Sequence, residues 1–75
     1  MPWVKRNDRT WDMYLNGKPC GYVVKVVFKD GTYTYQGIAF NKKTRKKSNP
    51  VSSTNKIKCM NAVYRDAMKL EAQFQ

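Results

Sequence analysis

The stretch that decides the fold is Tyr22-Val23-Val24-Lys25-Val26-Val27-Phe28-Lys29-Asp30-Gly31-Thr32-Tyr33-Thr34-Tyr35-Gln36-Gly37-Ile38-Ala39-Phe40. Both halves are rich in β-branched and aromatic side chains, which suit a pleated, half-buried surface. Asp-Gly between two such runs is a strong hairpin signal. A two-residue turn at Asp30-Gly31 predicts Lys29 opposite Thr32. From there Phe28 meets Tyr33, Val26 meets Tyr35, Val24 meets Gly37 and Tyr22 meets Ala39. That apolar, aromatic face is the expected core face. The other face then carries Val23, Lys25, Val27, Lys29, Thr32, Thr34, Gln36 and Ile38. It mixes cations, hydroxyls and an amide with aliphatics, whereas a merely solvated face is more polar. It is the first candidate for a working surface.

Outward from the hairpin, Thr10 to Leu15 alternates Trp11, Met13 and Leu15 with Thr10, Asp12 and Tyr14, the pattern of a third strand. Asn16-Gly17-Lys18-Pro19-Cys20-Gly21 connects it to Tyr22 and is rich in turn residues. A two-residue Asn-Gly turn pairs Leu15 with Lys18 and Trp11 with Tyr22; a six-residue loop pairs Leu15 with Tyr22 and Trp11 with Val26. Either register puts Trp11, Met13 and Leu15 on the face of Tyr22, Val24, Val26 and Phe28, and only an odd slip or a bulge flips it. Residues 1–9 form a basic N-terminal arm, with Trp3 near its tip and Lys5, Arg6 and Arg9 along it. It either lies along a phosphate backbone or lets Trp3 cover part of the sheet.

Residues 41–54 read as a loop. The longer stretch 41–58 holds seven cations and no acid, and Asn49-Pro50 and Ser52-Ser53-Thr54-Asn55 are turn chemistry. Lys42, Lys43, Arg45, Lys46 and Lys47 suit contact with phosphates without base reading. Residues 55–74 read as a helix capped by Ser53, Thr54 or Asn55. Ile57, Met60, Val63, Tyr64, Ala67, Leu70 and Phe74 form its apolar stripe, opposite Lys58, Asn61, Arg65 and Lys69.

Seventy-five residues make one domain with a small core; a chain this short buries only about 60% of its unfolded surface. Fifteen cations against five acids give a net charge of +10. Such an excess points to a polyanionic partner, nucleic acid first and an acidic membrane surface or acidic protein second. No apolar run approaches membrane-spanning length, and Met-Pro-Trp-Val-Lys-Arg does not read as a signal peptide. Cys20 and Cys59 have no metal-ligand spacing and no histidine to join them. They read as free thiols of a protein in the cell interior, with one disulfide as the alternative. The carboxylates Asp8, Asp12, Asp30, Asp66 and Glu71 form no acid–base pair, and no phosphate-cradling glycine loop occurs. No enzymatic activity and no cofactor or metal is expected.

The expected fold is α+β, a three-stranded antiparallel sheet packed against one C-terminal helix. That order, Trp11 to Leu15, Tyr22 to Lys29, Thr32 to Phe40, then Ile57 to Phe74, resembles the AP2 and integrase arm-binding type of DNA-binding domain. The resemblance implies a sheet that enters the major groove, with Lys25, Lys29, Thr32, Thr34 and Gln36 as its counterpart here. From Tyr22 onward the chain is also similar to the double-stranded-RNA-binding domain, whose lysines precede a helix as Lys42 to Lys47 precede Ile57. The function expected is binding of duplex DNA or RNA with weak sequence specificity. Lys42, Lys43, Arg45, Lys46 and Lys47 would hold phosphates, and Lys25, Lys29 and Gln36 would make groove contacts. The rival expectation is a small inhibitor or modulator, of the kind viruses encode, that docks on an acidic or nucleic-acid-binding surface of a larger protein. Tyr14, Val23, Val27 and Ile38 would be its contacts, since apolar patches mark partner surfaces.

Overall fold

A computed structural model describes residues 2–74, with side chains through Ala72. The chain is an antiparallel six-stranded sheet with one C-terminal helix across one face. The strands are β1 (Trp3–Asn7), β2 (Thr10–Leu15), β3 (Lys18–Val27), β4 (Tyr33–Asn41), β5 (Lys46–Lys47) and β6 (Val51–Ser53), followed by helix α1 (Lys56–Phe74). The class is the one expected, but the sheet has six strands where three were expected. The basic arm is edge strand β1, with Trp3 opposite Met13. The basic loop doubles back along β4 as β5 and β6. Between them the Ser48 amide donates to the Ala39 carbonyl at 2.8 Å, and the Ser48 hydroxyl accepts the Ala39 amide at 2.9 Å. The free edge of β4 presents backbone donors and acceptors that must be satisfied, so turn-like residues are drawn onto it.

The β3–β4 register differs by one residue from the expected one. Val27 faces Tyr33, Lys25 faces Tyr35, Val23 faces Gly37 and Gly21 faces Ala39. The turn explains it. The Gly31 amide donates to the Phe28 carbonyl at 3.0 Å, the Phe28 amide donates to the Thr32 carbonyl at 2.8 Å, and Gly31 has φ +88°. Phe28 therefore pairs with Thr32 across a three-residue loop, Lys29-Asp30-Gly31, with glycine in the left-handed position of a bulged hairpin. At the other end Asn16 and Gly17, with φ of 53° and 77°, make the two-residue turn, the first of the two registers the sequence allowed, and Leu15 faces Lys18. A bulge at Cys20 then shifts the pairing, so Trp11 faces Val23 and not Tyr22. Each odd step reverses which side of β3 points inward. Val23 and Gly21 are buried, whereas Tyr22 and Phe28 lie on the open face. Trp11, Met13, Leu15, Tyr35 and Ala39 keep the side expected of them.

The core is Met13, Val23 and Ala39 from the sheet with Cys59, Val63, Ala67 and Leu70 from the helix. Val63 packs directly on the sheet backbone. A Cβ built on Gly37 would lie 2.5 Å from Val63 Cγ2, and one on Gly21 would lie 2.9 Å from Val63 Cγ1. Glycine in a strand marks just such a close approach. A helix this near the sheet turns its narrow side chains inward. Cys59 and Ala67 face the core, while Ile57 and Tyr64, expected on the buried stripe, are exposed. Phe74, expected on the same stripe, lies outside the described side chains. Asn55 caps the helix, its Oδ1 accepting the Lys58 amide at 3.1 Å. Both thiols are free, Cys59 in the core and Cys20 half-buried at the bulge, and burial pushes both upward in pKa.

Candidate nucleic-acid interface

Asn41 builds the basic hairpin. It ends β4, and its side-chain Oδ1 accepts the amides of Lys43 at 3.0 Å and Thr44 at 3.2 Å. Its carbonyl accepts the Arg45 amide at 2.8 Å. Asparagine is suited to this double role because its short amide mimics a backbone turn. Arg45 takes φ +61°, and the chain re-enters the sheet with Lys46 opposite Asn41 and Lys47 opposite Phe40. Lys42, Lys43, Arg45, Lys46 and Lys47 are all exposed on this turn and its short strand. Lys18, the first residue of β3, lines a cleft with Lys42 and Lys43. Glu71 at the helix C-terminus also lines it and accepts the Asn41 side-chain amide at 3.5 Å. The sequence did not single out Lys18, because its part here depends on two turns meeting at the same end of the sheet.

The expected groove residues do not join this cluster. Lys29 sits in the β3–β4 turn, at the other end of β4. Eight residue steps separate Tyr33 from Asn41, about 26 Å at roughly 3.3 Å per step. Lys25 is on the helix side of the sheet, its Nζ 4.6 Å from the centre of the Tyr33 ring. Gln36 lies on the opposite, open side, paired across β4 and β6 with Ser52. Of the apolar contacts, Val23 is fully buried and Val27 is exposed on the helix side, while Tyr14 and Ile38 share the open face. Residues meant to act from one surface are thus divided between two, as the reversed parity of β3 dictates.

The open face is more apolar than expected. Val4 is 54%, Phe28 49% and Tyr22 38% exposed there. Val24, Val26 and Ile38 lie half-buried beside them, and the Tyr22 and Phe40 rings meet at 6.5 Å. Arg6 and Asp12 neutralise each other on this face through Nε to Oδ2 at 2.7 Å, which raises the Arg6 pKa. Sequence pattern assigned Tyr22, Val24, Val26 and Phe28 to the core, and the signal that could have placed them is the Lys-Asp-Gly turn, which also fits a three-residue loop.

Comparison with protein-family models, with curated proteins and with solved structures finds no match to this chain. Among the described residues no helix is long and apolar enough to cross a membrane.

Proposed function

We propose that this chain is a small nucleic-acid-binding protein that holds the phosphate backbone of a duplex with the hairpin Lys42 to Lys47. The observation that carries the reading is that hairpin: five cations on one turn and its short strand, with the turn backbone fixed by Asn41. A preset turn loses less conformational freedom on binding than a free loop. Contacts to phosphates position the chain without reading bases, so sequence specificity is weak. The test is a titration of labelled duplex over a range of salt. Each phosphate neutralised releases condensed counterion, so five cations give a slope of log affinity on log salt of about −4.5, at roughly −0.9 each. Replacing all five by alanine removes that contribution, flattening the slope by about 4.5. No binding at low salt, or a slope indifferent to the five substitutions, refutes the reading.

The bare apolar sheet face favours a second reading, a modulator that docks on a larger protein. Exposed apolar surface of this kind marks protein contact. Here Phe28→Ser removes capture of a partner from nuclease-treated lysate and leaves duplex binding unchanged. Capture that survives Phe28→Ser sinks this reading.

A further inference from the structure

At the opposite end of the sheet from the basic hairpin, three rings form a row on the helix side. Trp11 and Tyr35 meet at 6.1 Å between centres, and Tyr35 meets Tyr33 edge-on at 5.7 Å. Helix α1 begins here, and it leaves Tyr33 46% exposed. A cation stands at each end of the row: Lys56 Nζ is 4.9 Å from the Trp11 ring centre and Lys25 Nζ is 4.6 Å from that of Tyr33. Among the described residues two acids stand at this end, neither of them in contact with the rings. Asp30 accepts the hydroxyl and amide of Thr32, and Asp8 pairs with Lys5 at 3.8 Å.

We propose that this row of rings with its flanking lysines is a stacking site for unpaired nucleobases, which gives the protein a preference for a duplex that continues into a single strand. The inference rests on the nucleic-acid reading above and adds a second site to it. Aromatic rings beside cations are the two parts of a single-strand platform: the rings take base faces and the ammoniums take phosphates. The lysine–ring contacts do not block it. An exposed cation–π contact is worth about a two- to fivefold factor, whereas a stacked base is worth about a five- to hundredfold factor. A base therefore displaces Lys25 from the Tyr33 ring and leaves its ammonium free for the adjoining phosphate. Spacing fits as well. The two sites are separated by about 26 Å of β4, the length of about eight base pairs at roughly 3.4 Å each. A duplex held at the hairpin reaches the rings at its end, where its strands can part.

The test compares a blunt labelled duplex with the same duplex carrying a short oligothymidine tail. The tail raises affinity severalfold, the gain from one stacked base less the displaced lysine contact. Tyr33→Ala abolishes that gain while leaving blunt-duplex affinity unchanged, and Tyr33→Phe, which keeps the ring, retains it. With Trp3→Phe removing the second indole, the fluorescence of Trp11 is quenched by tailed but not by blunt duplex. Blunt duplex bound with no gain from the tail, or a gain that survives Tyr33→Ala, overturns this proposal and leaves the hairpin reading standing. Failure of every duplex to bind at low salt overturns both.

Discussion

The substitution Gly37→Ala tests the close approach of helix and sheet on which the fold depends. The added Cβ would lie 2.5 Å from Val63 Cγ2, 2.9 Å from the Tyr22 carbonyl oxygen and 3.0 Å from Val23 Cγ2. Val63 and Val23 are both fully buried, so neither can swing aside into solvent. The helix must lift or β3 must bend, and overpacking of this kind costs about 1–3 kcal/mol. Against it stands a gain of about 0.4–1 kcal/mol, because alanine leaves the unfolded chain fewer conformations. An approach of 2.5 Å between buried groups puts the overpacking cost at the upper end of its range, so the net loss is about 2 kcal/mol, or roughly 8–16 °C in melting temperature for a domain this small. The assay is thermal and urea unfolding of a double-mutant cycle with Val63→Ala. Val63→Ala alone costs about 2 kcal/mol, from two buried methyl groups and the cavity they leave. In that background the nearest clash is gone, so Gly37→Ala costs less by about 1 kcal/mol. Some cost persists, because the Tyr22 carbonyl stays in place. A Gly37→Ala protein as stable as the parent, or strictly additive effects, refutes the packing described.

Further outcomes follow from the register and the turn. Val23→Asp puts an unpaired charge at a fully buried site and unfolds the domain, whereas Val26→Asp, on the open face, leaves it folded; equal harm in thermal melts refutes the register. Hydrogen bonds from Thr32 hold the Asp30 carboxyl below the ordinary carboxylate range. A lowered folded-state pKa gives stability that is present above about pH 4, the unfolded value, and lost as pH falls through the folded value. Asp30→Asn therefore loses less melting temperature than the parent on acidification below about pH 4, and an identical loss shows that the turn contributes nothing to acid sensitivity.

The basic hairpin was legible in part. Lys42, Lys43, Arg45, Lys46 and Lys47 stand out in the sequence by their density alone. Their arrangement on a turn set by Asn41, and the arrival of Lys18 beside them, required β4 and the β2–β3 turn to end at the same place. The ring row was not legible, because Trp11 and Tyr35 are far apart in sequence and meet only across β3.

What the sequence by itself determined is what local periodicity and local chemistry encode. Thr10 to Leu15 alternates and is a strand. The helix running to Phe74 was readable from its periodicity, whereas the structure chose Asn55 among three caps and the two-residue Asn16-Gly17 turn over a longer loop. The inward side of β4 was also readable, because Tyr33, Tyr35 and Ala39 alternate with the more polar Thr34 and Gln36. Only the tertiary structure decided which side of β3 points inward. Val23, Val24, Val26 and Val27 are chemically alike, so hydrophobicity cannot choose between the two parities. One extra residue in the Lys29–Gly31 loop and one at the Cys20 bulge reverse the strand from Gly21 onward. The packing that accompanies this choice is long-range: Val63 rests on backbone at Gly21 and Gly37, a fit that exists only after helix and sheet have come together. The same holds for β1, β5 and β6. Their residues carry weak strand signals and become strands because neighbouring edges offer unpaired backbone groups to be satisfied.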